Sequence, residues 1–195
     1  MIKARYGDRL DGWLQSLLRP VSRLPLNPTW LSVAGAFLSS VAGVCFALGS
    51  HRIGAVWIAA GAFFDLIDGP LARARGSASE FGAFLDSTLD RVADLAIYLG
   101  IIVWFSRAGA PWPVLLAGVA LATALLTSYI KARAECFVDS LEGGVFERGE
   151  RLAVLWVGAL SGLLEPALWV LAIVGCITVV TRFQKAARLL KSARM

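Results

Sequence analysis

The chain has 195 residues, of which 57% are hydrophobic, and its mean hydropathy is +0.68. Soluble domains hold about 45–50% apolar residues, so the composition excludes a water-soluble globular domain and favours a single membrane domain over 1–195. The net charge of +5 gathers at the ends of apolar runs, which suits anionic headgroups and gives no reason to expect a nucleic-acid polymer as partner.

The chain opens on M-I-K-A-R-Y-G-D-R-L, which is charged and polar. It lacks the short apolar core of a cleavable signal, so the first long apolar run is expected to remain as a span. Within a juxtamembrane segment, 1–24, Leu10, Trp13, Leu14, Leu17 and Leu18 recur at helical spacing. They predict an amphipathic helix over Gly7–Arg19 lying in the membrane interface and ended by Pro20.

A membrane span needs about 20 apolar residues. The runs Pro28–Leu48, Ile53–Ala72, Phe81–Phe105, Trp112–Ala134, Phe146–Leu164 and Ala167–Phe183 meet or approach this. The prediction is an all-α integral membrane fold: six transmembrane helices over 25–195, with the amphipathic helix before them. A break is expected at Glu165–Pro166. Cys45, Cys136 and Cys176 lack metal-ligand spacing and read as small buried hydrophobes. Gly118/Ala122 and Gly158/Gly162 place small residues one turn apart, where helices can approach closely within a subunit or between two.

Orientation follows from the positive charges. Lys3, Arg5, Arg9, Arg19 and Arg23 precede the first run, and Arg73 and Arg75 follow the second. Lys131, Arg133, Arg148 and Arg151 flank the fourth-to-fifth connection, and Arg182, Lys185, Arg188, Lys191 and Arg194 lie at the end. Alternate connections place all of these on one side and only Arg52 and Arg107 on the other. Both termini are therefore expected in the cytoplasm.

The stretch D-L-I-D-G-P-L-A-R, Asp65 to Arg73, interrupts the second run at its cytoplasmic end. Asp65 and Asp68 share a helix face at i, i+3; Asp86 and Asp90 share a face of the third run at i, i+4. A short turn joins the two runs, so the helices are expected to be antiparallel neighbours with four carboxylates at one depth. Four anions at low dielectric need protons or cations. Arg73 and Arg91 can balance two, and the rest invite hard divalent cations with oxygen ligands. Ionisable residues in spans are functional candidates. A transporter would spread its carboxylates through the membrane, whereas these gather at one end beside glycines, serine and arginine that suit a phosphate. Pro70 suggests a locally irregular helix lining a wet cavity.

Written as a pattern from Asp65 to Asp90, the sequence is D-x2-D-G-x2-A-R-x8-G-x3-D-x3-D. It resembles the signature of the CDP-alcohol phosphatidyltransferase family at every defined position, and the six-run layout extends the resemblance over nearly the whole chain. The resemblance implies an enzyme that joins a CDP-linked lipid to an alcohol and releases CMP. It implies that Asp65, Asp68, Asp86 and Asp90 hold two divalent metals (Mg²⁺ or Mn²⁺), with Asp90 also the general base. Gly69, Ala72, Arg73, Ser77 and Gly82 would then line the CMP cleft. The family's element opening the first span reads P-T-W-L-S-V-A-G here; Thr29 and Ser32 retain hydroxyls for the nucleotide side, or Asn27 or Thr29 simply caps the helix. Relatives of this family are commonly homodimers.

The text around Asp86–Asp94, S-Y-I-K-A-R-A-E ending the fourth run, E-R-G-E-R-L opening the fifth and T-R-F in the last resemble the members that make phosphatidylinositol phosphate. Ser128, Lys131, Arg133, Arg151 and Arg182 would hold the phosphate of the acceptor, a phosphorylated polyol such as inositol 1-phosphate, for which cationic side chains are needed. CDP-diacylglycerol is the expected donor. Glycerol 3-phosphate as acceptor, an archaeal-type CDP-dialkyl donor, and a carboxylate-lined transporter without chemistry are the alternatives. Arg148 and the cluster Lys185–Arg194 read as topological charge only, and Asp94 as a structural partner of Arg91 or of a hydrogen-bond donor.

Overall fold

The computed structural model describes residues 27–138, 141 and 146–192. The expected amphipathic helix over Gly7–Arg19 lies outside them. The described residues form helices α1 (Pro28–Ala47), α2 (His51–Ala74), α3 (Glu80–Arg107), α4 (Pro111–Glu135), α5 (Arg148–Ser161) and α6 (Leu164–Ser192), and no strand is found among them.

Local chemistry sets the ends. The Asn27 side chain caps α1 by accepting from the Thr29 amide at 3.0 Å, with Pro28 in the first turn. Asn27, not Thr29, is therefore the cap. Ser79 caps α3 through the Gly82 amide at 3.1 Å. The α5–α6 break falls at Gly162, whose φ of 77° is left-handed and suits glycine. Glu165 and Pro166, expected as the break, instead sit in the first turn of α6, where a proline removes no needed hydrogen bond. Helix α2 runs through Pro70 without interruption.

By length and apolarity α1, α2, α4 and α6 can each cross a membrane. Helix α3 is long enough but charged along its first half. Helix α5 has 14 residues, which at 1.5 Å per residue is about 21 Å, short of a hydrocarbon core of roughly 30 Å. Large apolar side chains point outward along the spans, among them Phe37 at 67% and Val56 at 62% exposure. Such a surface belongs in lipid, and the chain is an integral membrane protein. Cys176 on α6 is exposed, Cys45 on α1 is half-buried and Cys136 is exposed at the end of α4, so the expectation of buried thiols is corrected. In lipid, an apolar residue gains nothing by turning inward.

Helix α1 is the hub. It packs against both α2 and α3, whereas those two meet chiefly through it rather than directly. The two helices run antiparallel as expected, joined by a short turn, but they are not packed side by side as neighbours. The reason lies in small residues on α1. A Cβ on Gly43 or on Gly100 would overlap the backbone of the facing helix, and one on Gly61 would meet Gly35 O at 2.8 Å. Backbones this close let α1 wedge between the aspartate-bearing helices. The rest of the bundle closes through α3 on α4, α4 on α6, and α5 on both α6 and α2. Gly158 serves the α5–α6 contact, with a Cβ there 2.5 Å from that of Ala167, while Gly118 faces open space. The core between the helices is built from Ala42, Phe46, Ile58, Ile97, Ile101 and Leu168.

Candidate active site

Asp68 is the most buried of the four signature carboxylates, at 5% exposure. Its Oδ2 accepts from Ser32 Oγ on α1 at 2.5 Å, and its Oδ1 from the Gly69 amide at 2.5 Å. Asp65, Asp68 and Asp86 lie within electrostatic reach of one another, as Asp90 does of Asp65 and Asp86. The four carboxylates thus converge, although from helices held apart by α1.

A cleft of about 270 Å³ opens between the start of α1, the end of α2 and the start of α3. Its lining includes Thr29, Ser32, Gly69, Ala72, Arg73, Ser77 and Gly82, together with Asp68 and Asp86. Arg73 folds back over Gly69, its Nη1 3.6 Å from where a Cβ on that glycine would stand. Asp65 and Asp90 lie outside that lining.

Between Asp65 and Asp90 stands Arg148, the first residue of α5. Its Nη1 is 2.6 Å from Asp65 Oδ2 and 2.6 Å from Asp90 Oδ1, and its Nε is 3.4 Å from Asp94 Oδ1. Sequence reasoning gave Arg148 only a topological role; the structure places it among the carboxylates. The local cause was legible. Glu147 and Glu150 form a capping box, the Glu147 amide donating to Glu150 Oε2 at 3.0 Å, and this sets Arg148 and Arg151 on one face of the new helix. Arg151 Nη2 approaches the far oxygen of Asp94 at 3.7 Å. Of the two partners expected for Asp94, Arg91 or another hydrogen-bond donor, the structure shows the second: Asp94 pairs with Arg148 and Arg151. Arg91 instead lies 3.6 Å from Asp90 Oδ2 and donates to Ser87 O.

The residues expected at the acceptor phosphate divide into two groups. Arg151 and Arg182 are buried and within electrostatic reach of each other, with Arg151 Nη1 on Phe146 O and Arg182 Nη1 on Thr127 O at 3.1 Å. The Arg182 Nε is buried without a partner. Lys131 and Arg133 are exposed; Lys131 pairs with Glu135 at 3.8 Å and Arg133 lies over the Phe137 ring. Ser128 Oγ is turned back to Ala124 O on its own helix.

Carboxylate oxygens are the donors a hard divalent cation takes, and the guanidinium drawn between Asp65 and Asp90 shows that a cation suits that point. Among the described residues no three acidic, His or Cys side chains stand together as a finished metal cage, and Arg148 occupies the space between Asp65 and Asp90. The donor chemistry of these carboxylates suits such a cation.

An all-helical membrane enzyme with clustered aspartates beside a small-residue cleft is the class these features define. The profile of the CDP-alcohol phosphatidyltransferase family matches residues 26–184, and the chain belongs to that family. The transporter alternative falls with this. The chain is 37% identical to the phosphatidylinositol phosphate synthase of Mycobacteroides abscessus over 82% of its own length and 77% of the relative's. It is 35% identical to the archaetidylinositol phosphate synthase of Methanothermobacter thermautotrophicus, over 87% and 88%. Two crystal structures of the Mycobacterium tuberculosis phosphatidylinositol phosphate synthase superpose on it at 32% identity. The one with CDP-DAG bound has a TM-score of 0.78, covering 89% of this chain and 92% of that one. The other, in complex with manganese and citrate, has a TM-score of 0.79, covering 89% and 88%.

Proposed function

We propose that the protein transfers a phosphatidyl group from CDP-diacylglycerol to inositol 1-phosphate, giving phosphatidylinositol phosphate and CMP. The observation that carries this reading is the cleft. Its lining joins the glycines, Arg73 and the hydroxyl residues of α1 to Asp68 and Asp86, a surface that suits a nucleotide on one side and its pyrophosphate on the other.

In this reading Asp65, Asp68, Asp86 and Asp90 hold two divalent cations, Mg²⁺ or Mn²⁺. When bound, these neutralise the pyrophosphate and stabilise charge on the attacking and leaving oxygens. The chain's own groups do the rest. Ser32 and the Gly69 amide fix Asp68, so that it presents a set orientation. Gly69 and Gly82 leave room for the nucleotide, and Arg73 covers it. Asp90 takes the proton of the acceptor hydroxyl as that oxygen attacks the β-phosphorus and CMP departs. Arg151 and Arg182 bind the acceptor's phosphate, with the unpartnered Nε of Arg182 supplying a donor. Lys131, Arg133 and Ser128, engaged with Glu135, Phe137 and Ala124 O, join this acceptor site in the same reading by rotamer change.

The same reading makes 1–195 one catalytic domain, with 1–24 as an interfacial segment and six membrane-embedded helices after it. Both termini and the active site face the cytoplasm of the inner membrane, where soluble substrates meet the lipid, and the enzyme works as a homodimer.

Purified protein offered CDP-diacylglycerol with inositol 1-phosphate, glycerol 3-phosphate, inositol or serine separates the acceptors by CMP release. Inositol 1-phosphate with Mg²⁺ or Mn²⁺ is expected to give the fastest release, and chelation to stop it. Faster release with glycerol 3-phosphate would overturn the acceptor assignment. The archaetidylinositol phosphate synthase relative makes a CDP-dialkyl donor a useful parallel arm.

A further inference from the structure

Asp65 and Asp90, assigned above as metal ligands, carry the closest ion pairs of the site, and both are to the same nitrogen. Arg148 Nη1 stands 2.6 Å from each. From the geometry we infer that Arg148 is the chain's own stand-in for the catalytic cation. It holds Asp65 and Asp90 in the metal-free protein, and it gives them up when a divalent cation takes those oxygens.

Three observations carry this. First, α2 and α3 meet chiefly through α1, so direct packing between them does little to hold their carboxylates together, and the mutual repulsion of these favours a cation across the gap. Second, the Arg148 side chain is only 21% exposed, and the capping box fixes its backbone at the positive end of α5. The guanidinium is therefore delivered to that gap by the fold. Third, its Nε has an anchor of its own in Asp94 at 3.4 Å, so Nη1 can leave Asp65 and Asp90 without stripping the arginine of every partner. A guanidinium nitrogen and a divalent cation cannot share the same two carboxylate oxygens, because like charges at contact distance repel. The two must compete. Asp90, with Arg148 on one oxygen and Arg91 near the other, is also barred from proton transfer until Arg148 moves.

The inference rests on the metal-ligand assignment, and the test separates the two. Free Mn²⁺ is followed by electron paramagnetic resonance while purified full-length protein in detergent is titrated, with no turnover involved. Wild type is expected to bind Mn²⁺ and Asp65→Asn to lose it. Arg148→Gln removes the competitor and is expected to bind Mn²⁺ roughly tenfold tighter, about 1.4 kcal/mol. In chelator its melting temperature falls below that of wild type, and Mn²⁺ raises it by more than in wild type. Arg148→Lys keeps the charge but not the planar fork, folds more readily, and is expected to bind with an affinity between the two. Mn²⁺ affinity unchanged or weakened in both variants would make Arg148 a permanent tie between helices and overturn the inference. Wild type that fails to bind Mn²⁺, or Asp65→Asn that binds as well as wild type, would overturn the ligand assignment itself and the inference with it.

Discussion

Asp68 and Asp90 share one signature and have opposite surroundings. Asp68 is enclosed, with a hydroxyl and an amide donating to its two oxygens, while Asp90 is held by arginine cations. The first arrangement suits a fixed ligand, the second a group that must change partners during a cycle. Ser32→Ala leaves Asp68 Oδ2 without its donor. Hydrogen bonds to charged groups contribute about 1.5–3 kcal/mol, so kcat/KM for the CDP-lipid should fall roughly tenfold or more, read from CMP release, with a lower melting temperature. Asp90→Asn keeps the shape and removes the proposed base. General-base contributions of about 10²–10⁴ set the expected fall in kcat, while equilibrium binding of the CDP-lipid should change little; a variant with full turnover would sink the base assignment.

Helix α5 is the shortest element and carries the most chemistry for its length. Its capping box sets where Arg148 and Arg151 stand, and Asp94 on α3 receives both. Loss of a cap costs about 0.5–2 kcal/mol. Glu150→Ala is therefore expected to lower the melting temperature and to raise the KM for the phosphorylated acceptor more than that for the CDP-lipid, measured by varying each substrate in turn. Equal effects on both would detach the box from the acceptor pocket. On the other side of the site, the Gly43–Gly100 contact shows how an element is placed by what is missing. Without Cβ atoms, α1 and α3 touch backbone to backbone near the ends of the two helices away from the cleft.

Across the whole molecule, charge distribution and site position agree. The cleft, the carboxylates and the buried arginines gather at the end of the bundle where α2 and α4 finish and α1, α3 and α5 begin. His51, Arg52 and Arg107 lie at the opposite ends of those helices. Cys136, which caps α4 and is exposed, offers a marker for the site's side. In a Cys45→Ser/Cys176→Ser background, a membrane-impermeant maleimide should label Cys136 in inside-out vesicles and not in right-side-out ones. The reverse pattern would invert the proposed topology.

The sequence by itself determined the family, the helix order and the residues that line the cleft. Signature spacing is local, and apolar length and turn residues bound each helix without reference to the rest of the chain. Thr29, Ser32, Gly69, Ala72, Arg73, Ser77 and Gly82 were each legible and each lines the cleft. Only the tertiary structure decided what stands between the carboxylates. Arg148 meets Asp65 across 83 residues of sequence; the capping box beside it fixes its face on α5 but says nothing of the partner it finds. The wedge of α1 was equally hidden, because it depends on which glycines face each other. Contacts of this kind are set by packing three helices at once, and no single stretch of sequence carries that geometry.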